Sequence, residues 1–330
     1  MGMDDSVVSA NTVHVRCGSD IRRALQQAGI GGRFVEFSDP VCQGPVPAGL
    51  DDAGLAAVRA HFIAEAYGGG EVGCRRRLEG EMAALDALDD GDSPLLWFEH
   101  DSYDQAILIR LLDRLGRRPA LRARARLICI EDFPGVDRFI GLGQLSPPQL
   151  ASLLPRAAPV SDAQVALATA AWQAFRDAAP GALWDLASVG TPALPPLAAA
   201  LRRHLMDLPG RRDGLSLTER LCLRAVAEGE AQPGRVFAAL NDRLDPLPFL
   251  GDMMLWPILR RLCDAREPAL MPFAAWNDAL GLTAFGVALL NGEADWCAAN
   301  GCDRWLGGID LRGDRPAWRW DETADRPLAA

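Results

Sequence analysis

Between residues 12 and 130, β-rich stretches alternate with helical ones, and that order constrains the fold more than any other feature. Thr12-Val13-His14-Val15-Arg16-Cys17 alternates in the manner of a strand. Gly18-Ser19-Asp20 breaks it, and residues 21–28 follow with Ile21, Leu25 and Ala28 at helical spacing. Residues 33–37 read as a second strand, ended by Ser38-Asp39-Pro40, and Gly44-Pro45-Val46-Pro47 reads as a turn-rich connector. Two helices are expected over 55–67 and 75–88, a buried strand over 94–98, a helix over 104–115 and a fourth strand over 125–130. Such alternation predicts an α/β fold with a mainly parallel sheet covered on both faces.

Beyond residue 140 the pattern becomes helical. Helices are expected over 147–154, over 161–178 with Ser161 as N-cap, and over 192–206 with Thr191 as cap. A polar linker is read at 209–214. Ser216 and Glu219 form a capping box that opens a helix through Ala227, and further helices are read over 233–240, 250–263 and 283–290. The tail, with Arg304-Trp305-Leu306-Gly307-Gly308-Ile309-Asp310-Leu311, a turn at Gly313-Asp314 and then Trp318-Arg319-Trp320, resembles a β-hairpin with aromatic partners. The 330 residues suit about two domains at roughly 150 residues each. The expected division is an α/β domain over 10–140, a helical connector over 141–210, and a winged-helix-like region with a hairpin tail over 211–330.

Composition excludes several classes. With 49% hydrophobic and 24% charged residues, the chain is neither disordered nor fibrous. No apolar run approaches the ~18 residues of a membrane span. The start, Met1-Gly2-Met3-Asp4-Asp5, lacks the basic region of a signal peptide, so a cytoplasmic location is expected. All of the basic side chains are arginine, because the chain has no lysine, and the net charge of −10 opposes generic binding to polyanions. The eight cysteines make no C-x-x-C pair and no zinc-binding spacing with histidine. They read as small buried hydrophobes in reduced form.

Ligands of an open parallel sheet bind beyond the carboxyl ends of its strands. The residues expected there are Ser19 and Asp20 after the first strand, Asp39 after the second, Glu99, His100, Asp101 and Asp104 after the third, and Glu131 and Asp132 after the fourth. Carboxylates gathered on one rim could hold a divalent metal or a cationic or polyhydroxyl ligand. Their mutual repulsion would raise one pKa and so pair a general acid with a general base, a role His100 could also take. Each of these residues also has a structural reading, since Asp and Ser commonly cap helices: Asp20 the first helix, Ser102 or Asp101 the third. Together Glu99, His100, Asp101, Asp104 and Gln105 favour a site, with Glu99, His100, Asp101 and Asp104 as catalytic candidates. Ser19, Asp20, Asp39, Gln105 and Gln144 are the ligand-binding candidates. Gly18-Ser19-Asp20 could cradle phosphate, although it carries one glycine and an acid. Gly141-Leu142-Gly143-Gln144 is either a loop closing the site or a plain connector. His14 is expected to pack within its strand, and His61 and His204 to be structural or exposed.

Three phrases stand together: Trp97-Phe98-Glu99-His100-Asp101-Ser102-Tyr103-Asp104-Gln105, Gly141-Leu142-Gly143-Gln144-Leu145-Ser146-Pro147 and Asn300-Gly301-Cys302-Asp303-Arg304-Trp305-Leu306-Gly307-Gly308. Through them most of the chain resembles the bacterial domain-of-unknown-function family 1835. The resemblance implies a bacterial, cytoplasmic protein and implies no activity. Where the family carries an Asn-Gly-Asp-like turn after the first strand, this chain has Cys17-Gly18-Ser19-Asp20.

Two functions are therefore expected as alternatives. The first is a small-molecule- or nucleotide-directed enzyme with an acidic site, with or without a divalent metal, at the sheet's carboxyl edge. The second is a regulatory protein whose winged-helix-like half binds a protein partner. Sequence-specific DNA binding is the third and weakest reading. Residues 201–267 hold eleven arginines against ten acids, and Arg202-Arg203, Arg211-Arg212 and Arg260-Arg261 each have an acid close by. The would-be recognition helix is mostly apolar and contains Pro257. Folding could still gather the three doublets on one face. Polarisation assays against random and genomic duplexes at physiological salt are expected to give no competitor-resistant submicromolar binding, and such binding would promote the regulatory reading.

Overall fold

The computed structural model describes residues 7–330; the acidic start lies outside them. The α/β half runs β1 (Thr12–Cys17), α1 (Arg22–Gln27), β2 (Arg33–Phe37), β3 (Gly44–Pro45), α2 (Asp52–Tyr67), α3 (Glu71–Asp86), β4 (Ser93–Glu99), α4 (Ser102–Gly116), α5 (Pro119–Arg124) and β5 (Arg126–Ile130). Then follow α6 (Pro147–Ala151), β6 (Ala158–Pro159), α7 (Asp162–Phe175), α8 (Gly181–Val189) and α9 (Leu197–Leu205). The remainder is α10 (Leu217–Ala227), α11 (Pro233–Ala239), α12 (Asp252–Asp264), α13 (Ala284–Asn291), α14 (Trp296–Asn300), β7 (Trp305–Gly307), β8 (Ile309–Asp310), β9 (Trp318–Asp321) and β10 (Arg326–Ala329).

The main sheet has the order β2-β1-β4-β5-β6. Its first four strands are parallel, and β6 adds a short antiparallel edge. Successive strand residues point to opposite faces. Val13, Val15, Leu96 and Phe98 accordingly enter one apolar cluster, with α4 and α7, whereas Leu95, Trp97, Ile128 and Ile130 enter another beneath α1 and α6. The first cluster continues without a break into the helical half through Leu201, Leu221, Leu255 and Leu289. Burial on both faces explains why β1 and β4 read as near-continuous runs of buried side chains. His14 is packed within β1 as expected, accepting a hydrogen bond from Trp97 Nε1 (3.1 Å) and bonding through Nε2 to the Gly31 carbonyl (3.0 Å). His204 is buried against Phe175, and His61 is exposed beside Glu71.

Several expectations are corrected. The connector at 44–47 contains β3, which pairs in parallel with β7 from the far end of the chain. Thr191 does not cap the helix at 192–206: residues 192–196 are turns, α9 starts at Leu197, and Thr191 Oγ1 instead bonds the Leu194 carbonyl and the Ala198 amide. The stretch 209–214 is no free linker, because Gly210 bridges to Trp320 and buried Asp213 grips Arg220. The tail does form an antiparallel hairpin, but the partner of β9 is β10 and not the 304–311 segment. The short helices α5 and α8 were not foreseen; each is too brief to show a periodicity. All eight cysteines are free, with six buried and Cys74 and Cys129 half-buried.

Ser216 and Glu219 make the expected capping box, with Ser216 N donating to Glu219 Oε2 (2.7 Å) and Glu219 N to Ser216 Oγ (3.1 Å). Glu219 does more than cap. Its Oε1 accepts from Arg261 on α12 (2.9 Å), and its Oε2 accepts from Arg304 beside β7 (2.6 Å). Burial raises the Glu219 pKa, but the two arginines overcome that and hold the carboxyl down to about 2. A lowered folded-state pKa stabilises above the ordinary value of 4.5 and loses its effect as pH falls through about 2. Glu219→Gln should therefore cost about 3–5 kcal/mol in urea denaturation at neutral pH, since it strands two arginines. Wild type and variant should converge as the solution is acidified. Equal stability at neutral pH would show that this triad does not stabilise the helical half.

Candidate active site

The site forms where β1 and β4 end side by side. Arg16, the penultimate residue of β1, registers opposite Trp97 of β4, so its side chain reaches the ends of both strands. Its guanidinium is buried and hydrogen-bonds around its whole edge. Nε and Nη2 donate to the two Asp20 oxygens (3.1 and 3.0 Å), Nη2 also to Glu99 Oε2 (3.0 Å), and Nη1 to Asp104 Oδ1. Asp20 is free for this because Ile21, not Asp20, occupies the N-cap of α1. Asp101 caps α4, accepting from the Asp104 amide (2.8 Å), and Asp104 Oδ1 accepts from the Glu99 amide (3.0 Å).

The Gly141-Leu142-Gly143 loop closes against these carboxylates. The Leu142 amide donates to Glu99 Oε2, and a Cβ on Gly141 would lie 2.6 Å from Glu99 Oε1. A larger residue at 141 would push the loop off the acid, so glycine here serves close approach. Gln144 Oε1 accepts from the Ile140 amide (2.7 Å) and the Gly141 amide (3.2 Å) and shapes that loop without lining the cavity.

One ligand atom from each of Glu99, Asp101 and Asp104 lies within 4.8 Å of the others, so the three could hold a metal ion. Burial, and then repulsion from Asp104, outweighs Arg16 and pushes the Glu99 carboxyl up to about 8. Asp101 is raised well above its ordinary value by burial and by the charges of Asp104 and Glu99. Asp104 is raised by burial despite its contact with Arg16. The same burial raises the Cys17 thiol far above its ordinary value, so Cys17 is not poised as a nucleophile. The cluster opens into a cavity of 550 Å³ whose other lining comes from the helical half: Phe237, Phe249 and Leu250, with Asn241 and Asp242 among them.

Of the expected residues, Asp20, Glu99, Asp101 and Asp104 converge on this cavity. The others do not line it. Asp39 is buried separately, accepting from Arg59 Nε (2.8 Å) and Arg110 Nη1 (3.4 Å), so two arginines hold it out of the acidic rim. His100 stacks on Phe139 with ring centroids 5.7 Å apart, and burial lowers its pKa. Gln105 lies behind the site, its Nε2 donating to the Glu99 carbonyl. Ser19 is exposed in the turn, and the Gly18 amide is committed to the Phe37 carbonyl (2.8 Å), so that loop builds no phosphate cradle. Glu131 and Asp132 point to solvent.

Sequence reading missed Arg16, the hub. A signal existed: an arginine inside a strand buried on both faces needs acidic partners. The wall from the helical half had no such signal, because only the tertiary fold brings residues 237–250 to this edge. No protein-family model matches this chain and no curated protein matches it.

The raised Glu99 pKa carries a sign. The folded state favours the protonated acid, so this contribution is present below the ordinary value of 4.5 and is lost as pH rises through about 8. Thermal melts across that window should fall for the wild type and fall less for Glu99→Gln. Parallel curves would mean that Glu99 does not take up its proton there.

Proposed function

We propose that the chain is a small-molecule- or nucleotide-directed enzyme working at the carboxyl edge of the sheet, with Glu99, Asp101 and Asp104 as its chemical groups and Asp20 and Arg16 positioning them. The observation that carries this reading is the convergence of three buried carboxylates on one open cavity. Buried carboxylates with raised pKa values, one of them near 8, suit proton transfer at neutral pH, since an acid and a base can coexist in one site. The donor set is all oxygen, which suits a hard divalent cation such as Mg²⁺ or Mn²⁺. Such an ion would be held by Glu99, Asp101 and Asp104 and would supply Lewis-acid polarisation of a bound oxygen. Arg16 already offsets part of the negative charge, so proton and cation compete for the same oxygens. Membership of the bacterial family that the chain resembles, and a cytoplasmic location, belong to this proposal. Among the described residues no helix is long and apolar enough to cross a membrane.

A second reading, a regulatory protein with a winged-helix-like half, is favoured by the exposure of Met253, Met271 and Trp276 on that half, which suits a protein partner. DNA fits less well. Arg202, Arg203, Arg211, Arg260 and Arg261 are all paired with acids, from Asp325, Asp245, Asp321, Asp264 and Glu219. Paired arginines release few counterions on meeting phosphate. Buried Leu255, Ile258 and Leu259 commit much of the would-be recognition helix α12 to the core.

Calorimetric titration with Mn²⁺ and Mg²⁺ tests the enzyme reading. Binding should tighten as pH rises through about 8, where Glu99 gives up its proton. Asp101→Asn should abolish it with little change in Tm, because asparagine caps helices about as well as aspartate. Binding unchanged in Asp101→Asn, or none above that pH, would remove the metal from the proposal. His100→Ala should leave binding intact.

A further inference from the structure

A second cavity, of 400 Å³, lies between α2, α12 and the β3–β7 pair and shares no lining residue with the acidic one. Arg304 and Arg261 stand in its wall, with Phe62, Ile258 and Trp305 as apolar neighbours. Arg304 Nη1 donates to Glu219, but its buried Nε and Nη2 find no hydrogen-bond partner among the described residues. Those two N–H groups form the side-on edge of a guanidinium, the edge that matches a carboxylate. Elsewhere in this protein the same edge is occupied by both oxygens of one acid. Arg203 holds Asp245 (2.8 and 2.6 Å), Arg220 holds Asp213 (2.7 and 2.8 Å), and Arg312 holds Asp310 (2.9 and 2.7 Å).

Glu219 cannot serve Arg304 in this way. Its Oε1 is taken by Arg261 and its Oε2 by Arg304 Nη1 and the Ser216 amide. Asp207, also in the wall, is engaged by Thr218 and Arg203. Leaving buried donors of a charged group unmet is costly, and folded proteins rarely tolerate it without a reason. Charge narrows the partner. Arg261 and Arg304 share one carboxylate, which leaves a single positive charge at the base, whereas at the rim Glu65 and Asp303 are exposed acids and Arg312 is already paired with Asp310. A polyanion is repelled by that rim; a single carboxylate on an apolar body is matched by base and walls.

We propose that this cavity binds a small carboxylate, the Arg304 side chain turning its Nε–H and Nη2–H edge, closed to water in this structure, onto the two oxygens, with the apolar body against Trp305 and Phe62. Benzoate is the probe, with benzamide as its neutral counterpart and inorganic phosphate as the competing oxyanion. In the full-length chain, millimolar benzoate should shift the Arg304 Nε–H resonance and benzamide should not. Arg304→Lys keeps the positive charge beside Glu219 but removes the planar edge. It should weaken benzoate at least about tenfold, as expected for losing a charge-assisted pair of bonds. The wild-type resonance decides the matter if that variant fails to fold. No benzoate binding, undiminished binding in Arg304→Lys, an unmoved Nε–H resonance, or phosphate displacing benzoate would each overturn the proposal.

Discussion

The buried guanidinium of Arg16 is the interaction on which the α/β half depends. An isolated charge at that depth would be prohibitive, so it must be surrounded by acids with hydrogen bonds in place. Asp20, Glu99 and Asp104 meet that need. In doing so they fix the turn after β1, the end of β4 and the first turn of α4 relative to one another. The loop at 141–143 is drawn in as well, because Glu99 has a second acceptor site for the Leu142 amide. One cation therefore sets the geometry of four chain segments. It also leaves an excess of negative charge, which adds to burial in keeping the carboxyls protonated to unusually high pH.

The same device recurs at the other joints of the fold. Arg59 on α2 is fully buried, donating to Asp39 and to the carbonyls of Pro40, Gln43 and Pro45, and so shapes the whole 39–45 segment. Arg203 on α9 ties Asp207 and Asp245, which anchors the chain within the 237–250 segment that walls the acidic cavity. Glu219 inverts the pattern, with one acid between two arginines. A chain that uses arginine as its sole basic side chain is suited to this, because the guanidinium stays charged when buried and offers five donors in a fixed plane.

The two cavities express opposite uses of that chemistry. In the first, acids outnumber the arginine and the resulting field favours protons or cations. In the second, two arginines share one acid and a pair of N–H groups is left over. Neither balance is visible in the net charge of −10, which sums over the whole chain. What distinguishes the cavities is how far each charged group has been removed from water.

How much was legible in the sequence follows from the range of the forces involved. Strand and helix identities over 12–130 depend on local alternation and helical spacing, so β1, β2, β4 and β5 could be read directly, and parallel pairing followed from the helices between them. Caps such as Ser161 and the Ser216–Glu219 box act across three residues and were equally legible. Four of the site's acids were found because ligands gather at strand ends. Asp39 and His100 were misplaced for one reason: whether a strand-end side chain faces the crevice depends on what competes for it, and Arg59, Arg110 and Phe139 win that competition from other segments. The β3–β7 pair, the β9–β10 hairpin and the cavity wall from residues 237–250 join segments distant in sequence or without a local pattern. Sequence by itself determined which elements form and which carboxylates end the strands. Only the tertiary structure decided which charges are buried together, because desolvation and pairing are properties of the assembled core and not of any local stretch of chain.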